Sequence, residues 1–250
     1  MRISTLVLLA ISIMGIFSTR IAAQGGPPMI TDDTETVPKG HWEINTAFTI
    51  ERGADDRLFG TPLLDVNYGL SEHMQFKAEM PWLVLHRNGQ SSVNGPGNLN
   101  IGIRWRFRDE KEHHRIAMSI YPQFEFNTLK ASTNRGLVDK GPELFLPLQW
   151  QTRIGKFGLG GDAGYRFRRG ADEVTYGVIL GRELNERLEV MGEIHSSGVL
   201  RQLEESETVF NLGSRVKLTK HTKLLVSAGR SLRPGRDPQF IGYAGLQVNF

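Results

Sequence analysis

Apolar and polar residues alternate one by one along most of the chain after residue 40. In the stretch LNIGIRWRFRD (99–109), leucine, isoleucine, tryptophan and phenylalanine occupy one face of an extended chain, and asparagine, glycine and arginine occupy the other. Twelve segments of about ten residues share this pattern, from HWEINTAFTI to QFIGYAGLQVNF. A period of two is typical of β-strands whose faces meet different surroundings. The pattern predicts an all-β protein with about 12 strands.

Alternation occurs both in water-soluble barrels and in membrane barrels, which have opposite polarity. The links between the predicted strands alternate between short ones, such as GK and NER, and longer ones, such as NTLKASTNRGLVDK. Outward aromatic residues fall near both ends of the strands, where membrane interfaces favour them. Phe250, the last residue, resembles the C-terminal sorting signal of outer-membrane proteins. We therefore predict that residues 41–250 form a transmembrane antiparallel up-and-down β-barrel of the outer-membrane type.

In a membrane barrel the polar face of each strand lines the lumen, where opposite charges can pair or stay hydrated. Arg182 and Arg230 break this parity and would face lipid from strand ends, where long side chains reach the headgroups. The lumen-lining candidates that we single out are Glu43, Lys77, Glu79, Arg104, Arg106, Arg108, Glu125, Asp162, Arg166, Glu193 and Arg215.

The N-terminus has the layout of a secretory signal peptide over residues 1–23. It has a basic residue, Arg2, near its start, continues with an apolar run over residues 6–17, and ends in small residues at Ala23. The run is shorter than the roughly 20 residues of a membrane-spanning helix. We expect cleavage after Ala23 and residence in the outer membrane of a Gram-negative bacterium.

Residues 24–40 are rich in proline and glycine and carry an acidic cluster at Asp32, Asp33 and Glu35. One interpretation is a periplasmic extension with Asx turns. Another is a plug that folds into the lumen, where Asp32 and Asp33 pair with arginines. A calcium site is a third, although the spacing matches no complete calcium loop.

The composition of the chain excludes or disfavours several kinds of binding site. The chain has no cysteine, which excludes disulfides and thiolate metal sites. Without residues 1–23 it carries 28 basic and 27 acidic residues, and it has no basic patch that would indicate nucleic acid. The adjacent His113 and His114 lie in a predicted turn without a partner ligand, and no helix follows the glycine-rich stretches. We predict no metal and no cofactor.

Several segments resemble the outer-membrane family named for the MetA pathway of phenol degradation. They are GPPMITDDTETVPKGHWEIN (26–45), GPGNLNIGIRWRF, GPELFLPLQWQTRIGKFGLGGDAGYRF and FNLGSRVKLTKHTKLLVSAGR. The resemblance spans nearly the whole mature chain, and Asn98 departs from it because the family commonly has an acid there. It implies an outer-membrane protein linked to the uptake of aromatic or other small apolar molecules.

Three classes of function follow. The first, which we favour, is a passive channel with a narrow path, because a barrel of this size with many charged lumen side chains leaves little space. The second is a lipid-modifying enzyme, since His195-Ser196-Ser197 is similar to the His-x-Ser of lipid A deacylases, although strand parity points His195 and Ser197 inward. The third is a structural or recognition barrel. The expected partners are outer-membrane lipid, the barrel-assembly machinery and an unidentified small solute.

Overall fold

The computed structural model describes residues 25–110, 115–233, 235 and 237–250. The predicted signal peptide lies outside the described residues, as do His113 and His114. In the described part of the chain, no helix is long and apolar enough to cross a membrane.

Nearly all regular structure is β-sheet. Within the residues that the structure describes, one short helix, α1 (Lys130–Asn134), and one 3-10 turn, Leu203–Glu205, lie in loops. The strands are β1 Trp42–Arg52, β2 Asp56–Ser71, β3 Met74–Arg87, β4 Val93–Pro96, β5 Leu99–Arg108, β6 Ile116–Ile120, β7 Gln123–Phe126, β8 Glu143–Ile154, β9 Phe157–Phe167, β10 Glu173–Asn185, β11 Leu188–Val199, β12 Glu207–Lys217, β13 Thr222–Ser231 and β14 Phe240–Asn249.

The sheet closes on itself as an antiparallel barrel. Most strands pair with their sequence neighbours, and β1 also pairs with β14, from Glu43 opposite Asn249 to Arg52 opposite Phe240. β4 and β5 both pair with β3, and β6 and β7 both pair with β5 and β8, so each of these two pairs makes one wall strand. The 14 segments therefore form 12 wall strands, which confirms the predicted fold.

The two faces of the wall have the polarity of a membrane barrel. Large apolar side chains cover the outside, with Trp105 51% exposed and Leu212 57% exposed, whereas the inside buries polar groups such as Gln149 and Asn211. Closure satisfies the backbone hydrogen bonds that a bilayer core could not. Arg182 is the expected exception, and its guanidinium lies 5.4 Å from the centre of the Phe157 ring.

The two ends of the barrel differ. The end that carries the short connections, such as 155–156 and 186–187, is called the turn end here, and the opposite end is the loop end. Two loop-end connections are shorter than the sequence pattern predicts, because strand pairing continues until only residues 53–55 and 88–92 remain. The longest described loop, 127–142, contains α1 and folds inward, so that Leu137 packs against Leu83 and Leu85.

Candidate functional site: a plugged lumen

Residues 25–37, called the plug here, run through the lumen and contact the wall along their length. Their side chains include Thr31 and Thr34, both fully buried, and Met29, which packs on Ile179 of the wall. These residues contact wall side chains inside the barrel.

Arg104 of β5 joins the plug to the wall. Its guanidinium lies 2.5 Å from the Asp32 carboxylate and 3.1 Å from that of Asp33, and it donates to the Glu35 carbonyl at 2.7 Å. The guanidinium also lies 4.7 Å from the centre of the Tyr121 ring, in cation–π geometry. Five donor groups in a fixed fork allow arginine to hold several oxygens at once. The strand parity of Arg104 therefore places one buried cation against the acidic cluster.

Wall carboxylates hold the backbone of the plug. The N–H groups of Ile30 and Thr31 donate to the Glu193 carboxylate at 2.9 and 2.7 Å, and the N–H of Asp32 donates to Asp162 at 3.0 Å. A plug without regular structure must find partners for its N–H groups elsewhere. Charged acceptors make stronger bonds than neutral ones.

Amide side chains of β3 and β8 complete this contact. The N–H of Val37 donates to the Gln75 side chain at 2.8 Å, and the Thr34 hydroxyl lies 3.3 Å from the Gln151 side-chain oxygen. Gln75 in turn donates to Asn67 at 2.7 Å, so the plug is tied into the wall network on more than one strand.

The backbone carbonyls of the first plug residues accept hydrogen bonds from wall side chains. Arg215 of β12 donates to the carbonyls of Gly25, Gly26 and Pro27 at 2.6 to 3.1 Å and pairs with Glu189 at 3.3 Å. The Ser227 hydroxyl donates to the Pro28 carbonyl at 2.7 Å. This end of the plug is therefore held on the β11–β13 side of the barrel.

The pKa values of the two adjacent aspartates of the plug shift in opposite directions. Burial would raise the pKa of Asp32, but the charges of Arg104 and Lys77 outweigh burial and hold this pKa below its ordinary value. Burial raises the pKa of Asp33 to about 7, because the attraction of Arg104 offsets the loss of water only in part. Asp32 is thus the carboxylate that carries the ion pair with Arg104.

The acidic cluster is used for ion pairs with the wall. Asp32 forms the ion pair with Arg104, the Asp33 carboxyl lies 3.1 Å from the same guanidinium, and Glu35 pairs with Arg106 at 3.1 Å. Within the described residues, no group of three or more His, Asp or Glu side chains is placed to hold a metal ion. The geometry therefore gives the calcium interpretation no support.

Further ion pairs join wall residues to one another. The Lys77 ammonium lies 3.4 Å from Asp65 and 3.0 Å from Glu79. Arg166 lies 3.3 Å from Glu143 and 3.7 Å from Glu125. Most of the charged lumen is thus a set of paired groups rather than free charges.

Asn98, which departs from the resembled family, donates to Glu125 at 2.7 Å. An acid at this position would place two carboxylates together unless one of them kept a proton. The amide avoids that repulsion, and Arg166 then faces Glu125 and Glu143.

Arg108 does not face the lumen as strand parity predicts. A register shift between Arg106 and Arg108 places Arg108 opposite Met118 instead of Ala117, and Arg108 is exposed. Ala117 is buried inside the barrel, whereas Met118 alternates to the outer face. A β-bulge adds one residue to one strand and reverses the parity that follows. Arg108, at the turn end, is therefore not a lumen-lining residue. Glu43 does face the lumen, where it lines a cavity.

The plug leaves two cavities against the β1–β3 and β13–β14 wall. The turn-side cavity, about 460 Å³, is polar and is lined by Glu43, Asp65, Lys77, Arg104 and Lys223 among others. The loop-side cavity, about 380 Å³, is lined by apolar side chains of the wall and the plug together with a few polar groups. Its apolar lining consists of Met29, Ile30, Leu58, Leu63, Leu83 and Ile241, with Tyr243 beside them.

Strand parity points several other residues of this site inward but gives neither their heights nor their partners. Leu83, Ile241 and Tyr243 interrupt the polar face in separate strands, and only the register shows that they meet at one cavity. Tyr121 and Gln75 also lie on inward faces, but an aromatic residue or an amide on a polar face does not indicate what it contacts. Their places next to Arg104 and Val37 depend on contacts between distant parts of the chain.

The His195-Ser196-Ser197 segment does not form a lipid-facing site. His195 pairs with Gly177 and Val209, which face the lumen, and Ser197 pairs with Thr175, which is also buried inside. Ser196 alternates to the other face, but its hydroxyl is buried against the Glu207 carbonyl and Thr208. The geometry does not favour the deacylase alternative.

No family model matches the chain, and no curated protein matches it. Among solved structures, an outer membrane channel from Pseudomonas putida F1 is similar, with a TM-score of 0.64 at 14% identity over 87% of this chain and 98% of that chain. The NanC porin has a TM-score of 0.58 at 9% identity over 83% and 98%. The KdgM porin, solved in complex with disordered oligogalacturonate, has a TM-score of 0.56 at 13% identity over 83% and 99%. At these identities the likeness shows the fold alone.

Proposed function

We propose that the protein is a passive channel of the outer membrane for small, mainly apolar or aromatic molecules, with a narrow path beside the plug. The observation that carries this proposal is the loop-side cavity. It is lined by apolar side chains from the wall and the plug together with charged and polar ones, and it lies between the plug and the end of the barrel with long loops.

The size and chemistry of this cavity support the choice of solute. Ligand pockets are typically about 300–1,000 Å³ and are lined mostly by apolar side chains with a few polar groups. A cavity of about 380 Å³ is at the small end of that range. The polar groups beside it include the Tyr243 hydroxyl, which is buried and without a hydrogen-bond partner within the described residues.

Two further lines support the proposal. The structural neighbours with TM-scores above 0.5 include channels and porins, and the sequence segments resemble a family linked to the uptake of aromatic compounds. The expected signal peptide and Phe250 are consistent with transport to, and insertion into, the outer membrane of a Gram-negative bacterium.

The test is uptake by a strain that lacks the protein, compared with the same strain carrying it, over a panel of small aromatic and small polar solutes. We expect slower uptake of small aromatic solutes in the deletion strain. Unchanged uptake of every solute, together with no conductance in planar bilayers, would leave the recognition barrel as the better account.

A further inference from the structure

The two cavities share a single lining residue of the barrel wall. Among the described residues, those that line both cavities are Gly26, Pro27 and Asp32 of the plug and Lys77 of β3. Three of these four belong to the plug. Lys77 is therefore the wall residue at the boundary between the turn-side and loop-side cavities.

The Lys77 side chain stands between two wall carboxylates. Its ammonium lies 3.4 Å from Asp65, which lines the turn-side cavity, and 3.0 Å from Glu79, which lines the loop-side cavity. The Asp65 carboxylate is held by the amides of Asn45 and Asn67 at 3.1 and 3.0 Å. One cation therefore faces one carboxylate on each side of the boundary.

We infer that solutes which move between the two cavities pass beside Lys77, and that the Lys77 ammonium sets the charge preference of this passage. The inference rests on the proposed channel function. Asp32 is engaged by Arg104, so Lys77 is the cation that balances Asp65 and Glu79 at the boundary. Without it, the carboxylates would favour cations and exclude anions.

The absence of cysteine from the sequence makes a charge-replacement experiment specific. Lys77→Cys is prepared, its folding is checked by heat-modifiable gel migration and circular dichroism, and the K⁺/Cl⁻ permeability ratio is measured in planar bilayers. The thiol is then treated with a methanethiosulfonate that adds an aminoethyl group or with one that adds a sulfonatoethyl group. In both reactions the thiolate sulfur forms a disulfide and methanesulfinate leaves.

The expected result is a K⁺/Cl⁻ ratio about tenfold higher in Lys77→Cys, since removal of a unit charge some 6 Å from the path in water-like surroundings raises the local concentration of K⁺ about threefold and lowers that of Cl⁻ about threefold. The aminoethyl group should restore the original ratio. The sulfonatoethyl group should raise the ratio of Lys77→Cys by about a further tenfold. Lys77→Arg should keep the ratio of the unmodified protein.

Lys223→Cys is the matched control, because Lys223 lines the turn-side cavity but not the loop-side cavity. The same two reagents should change its ratio much less. Equal ratios after both reagents at position 77, or equal effects at positions 77 and 223, would overturn the inference while the channel function stands. Absence of current from the unmodified protein would instead overturn the channel function, and this inference with it.

Discussion

Replacement of Arg104 by methionine should release the plug from the wall. The Arg104 side chain is 6% exposed, and its guanidinium contacts Asp32, Asp33 and the Glu35 carbonyl, whereas methionine is an unbranched side chain that carries no charge. Removal of one partner from a buried ion pair costs about 3–5 kcal/mol. Since about 1.4 kcal/mol is a factor of ten, the undocked plug should become at least about a hundredfold more populated.

Hydrogen exchange of the plug measures this change. The N–H groups of Thr31 and Val37 are bonded to wall side chains, so the peptide that contains them should exchange slowly in the native protein and much faster in Arg104→Met. Arg166→Met is the matched control, because the ion pairs of Arg166 join wall residues. Equal exchange of the plug in the native protein and in Arg104→Met would refute the idea that Arg104 anchors it.

Four other changes test the same description. A Cβ on Gly177 would overlap Thr31 Oγ1, so the two residues are adjacent and a Thr31→Cys/Gly177→Cys disulfide should form after a local shift. This disulfide should hold the plug, and in the Arg104→Met background oxidation should reverse any gain in conductance until a reductant is added. Glu193→Gln should weaken docking by about 2 kcal/mol, because two backbone bonds lose a charged acceptor, and exchange of Ile30 and Thr31 would report this loss. Leu137→Ala should cost about 2–5 kcal/mol of loop packing and speed cleavage of residues 127–142 by protease added to whole cells; no change in cleavage would contradict the described loop. The lowered pKa of Asp32 stabilises the docked plug above the ordinary pKa of 3.8, and this stabilisation is lost as the pH falls. The raised pKa of Asp33, about 7, has the opposite effect, so docking weakens as the pH rises from about 4 to about 7. Conductance should therefore be lowest near pH 4, and Asp33→Asn should remove its increase between pH 4 and pH 7.

The fold could be read from the sequence because a period of two links each residue to one face of the wall. Trp105 and Arg104 are neighbours in the chain, yet one is outside and the other is buried inside. This rule fails where the ladder is irregular, as at Arg108, since a bulge depends on the partner strand and leaves no mark in the alternation.

The site was harder to predict for a different reason. The sequence offers several lumen arginines that could pair with Asp32, and the pair with Arg104 joins residues 72 positions apart. The choice depends on the path of residues 25–37, which have no periodicity to read. The height at which Leu83, Ile241 and Tyr243 meet likewise follows from strand register, which single strands do not encode.

The most direct test of the central claim is the conductance of the barrel with its plug locked in place. The proposed path runs beside the docked plug, so oxidised Thr31→Cys/Gly177→Cys protein should conduct in planar bilayers within about twofold of the unmodified protein, with or without reductant. Measurable current in the unmodified protein that disappears on oxidation of the cysteine pair, and returns with reductant, would contradict a path past the plug and show that the plug must move for solutes to cross.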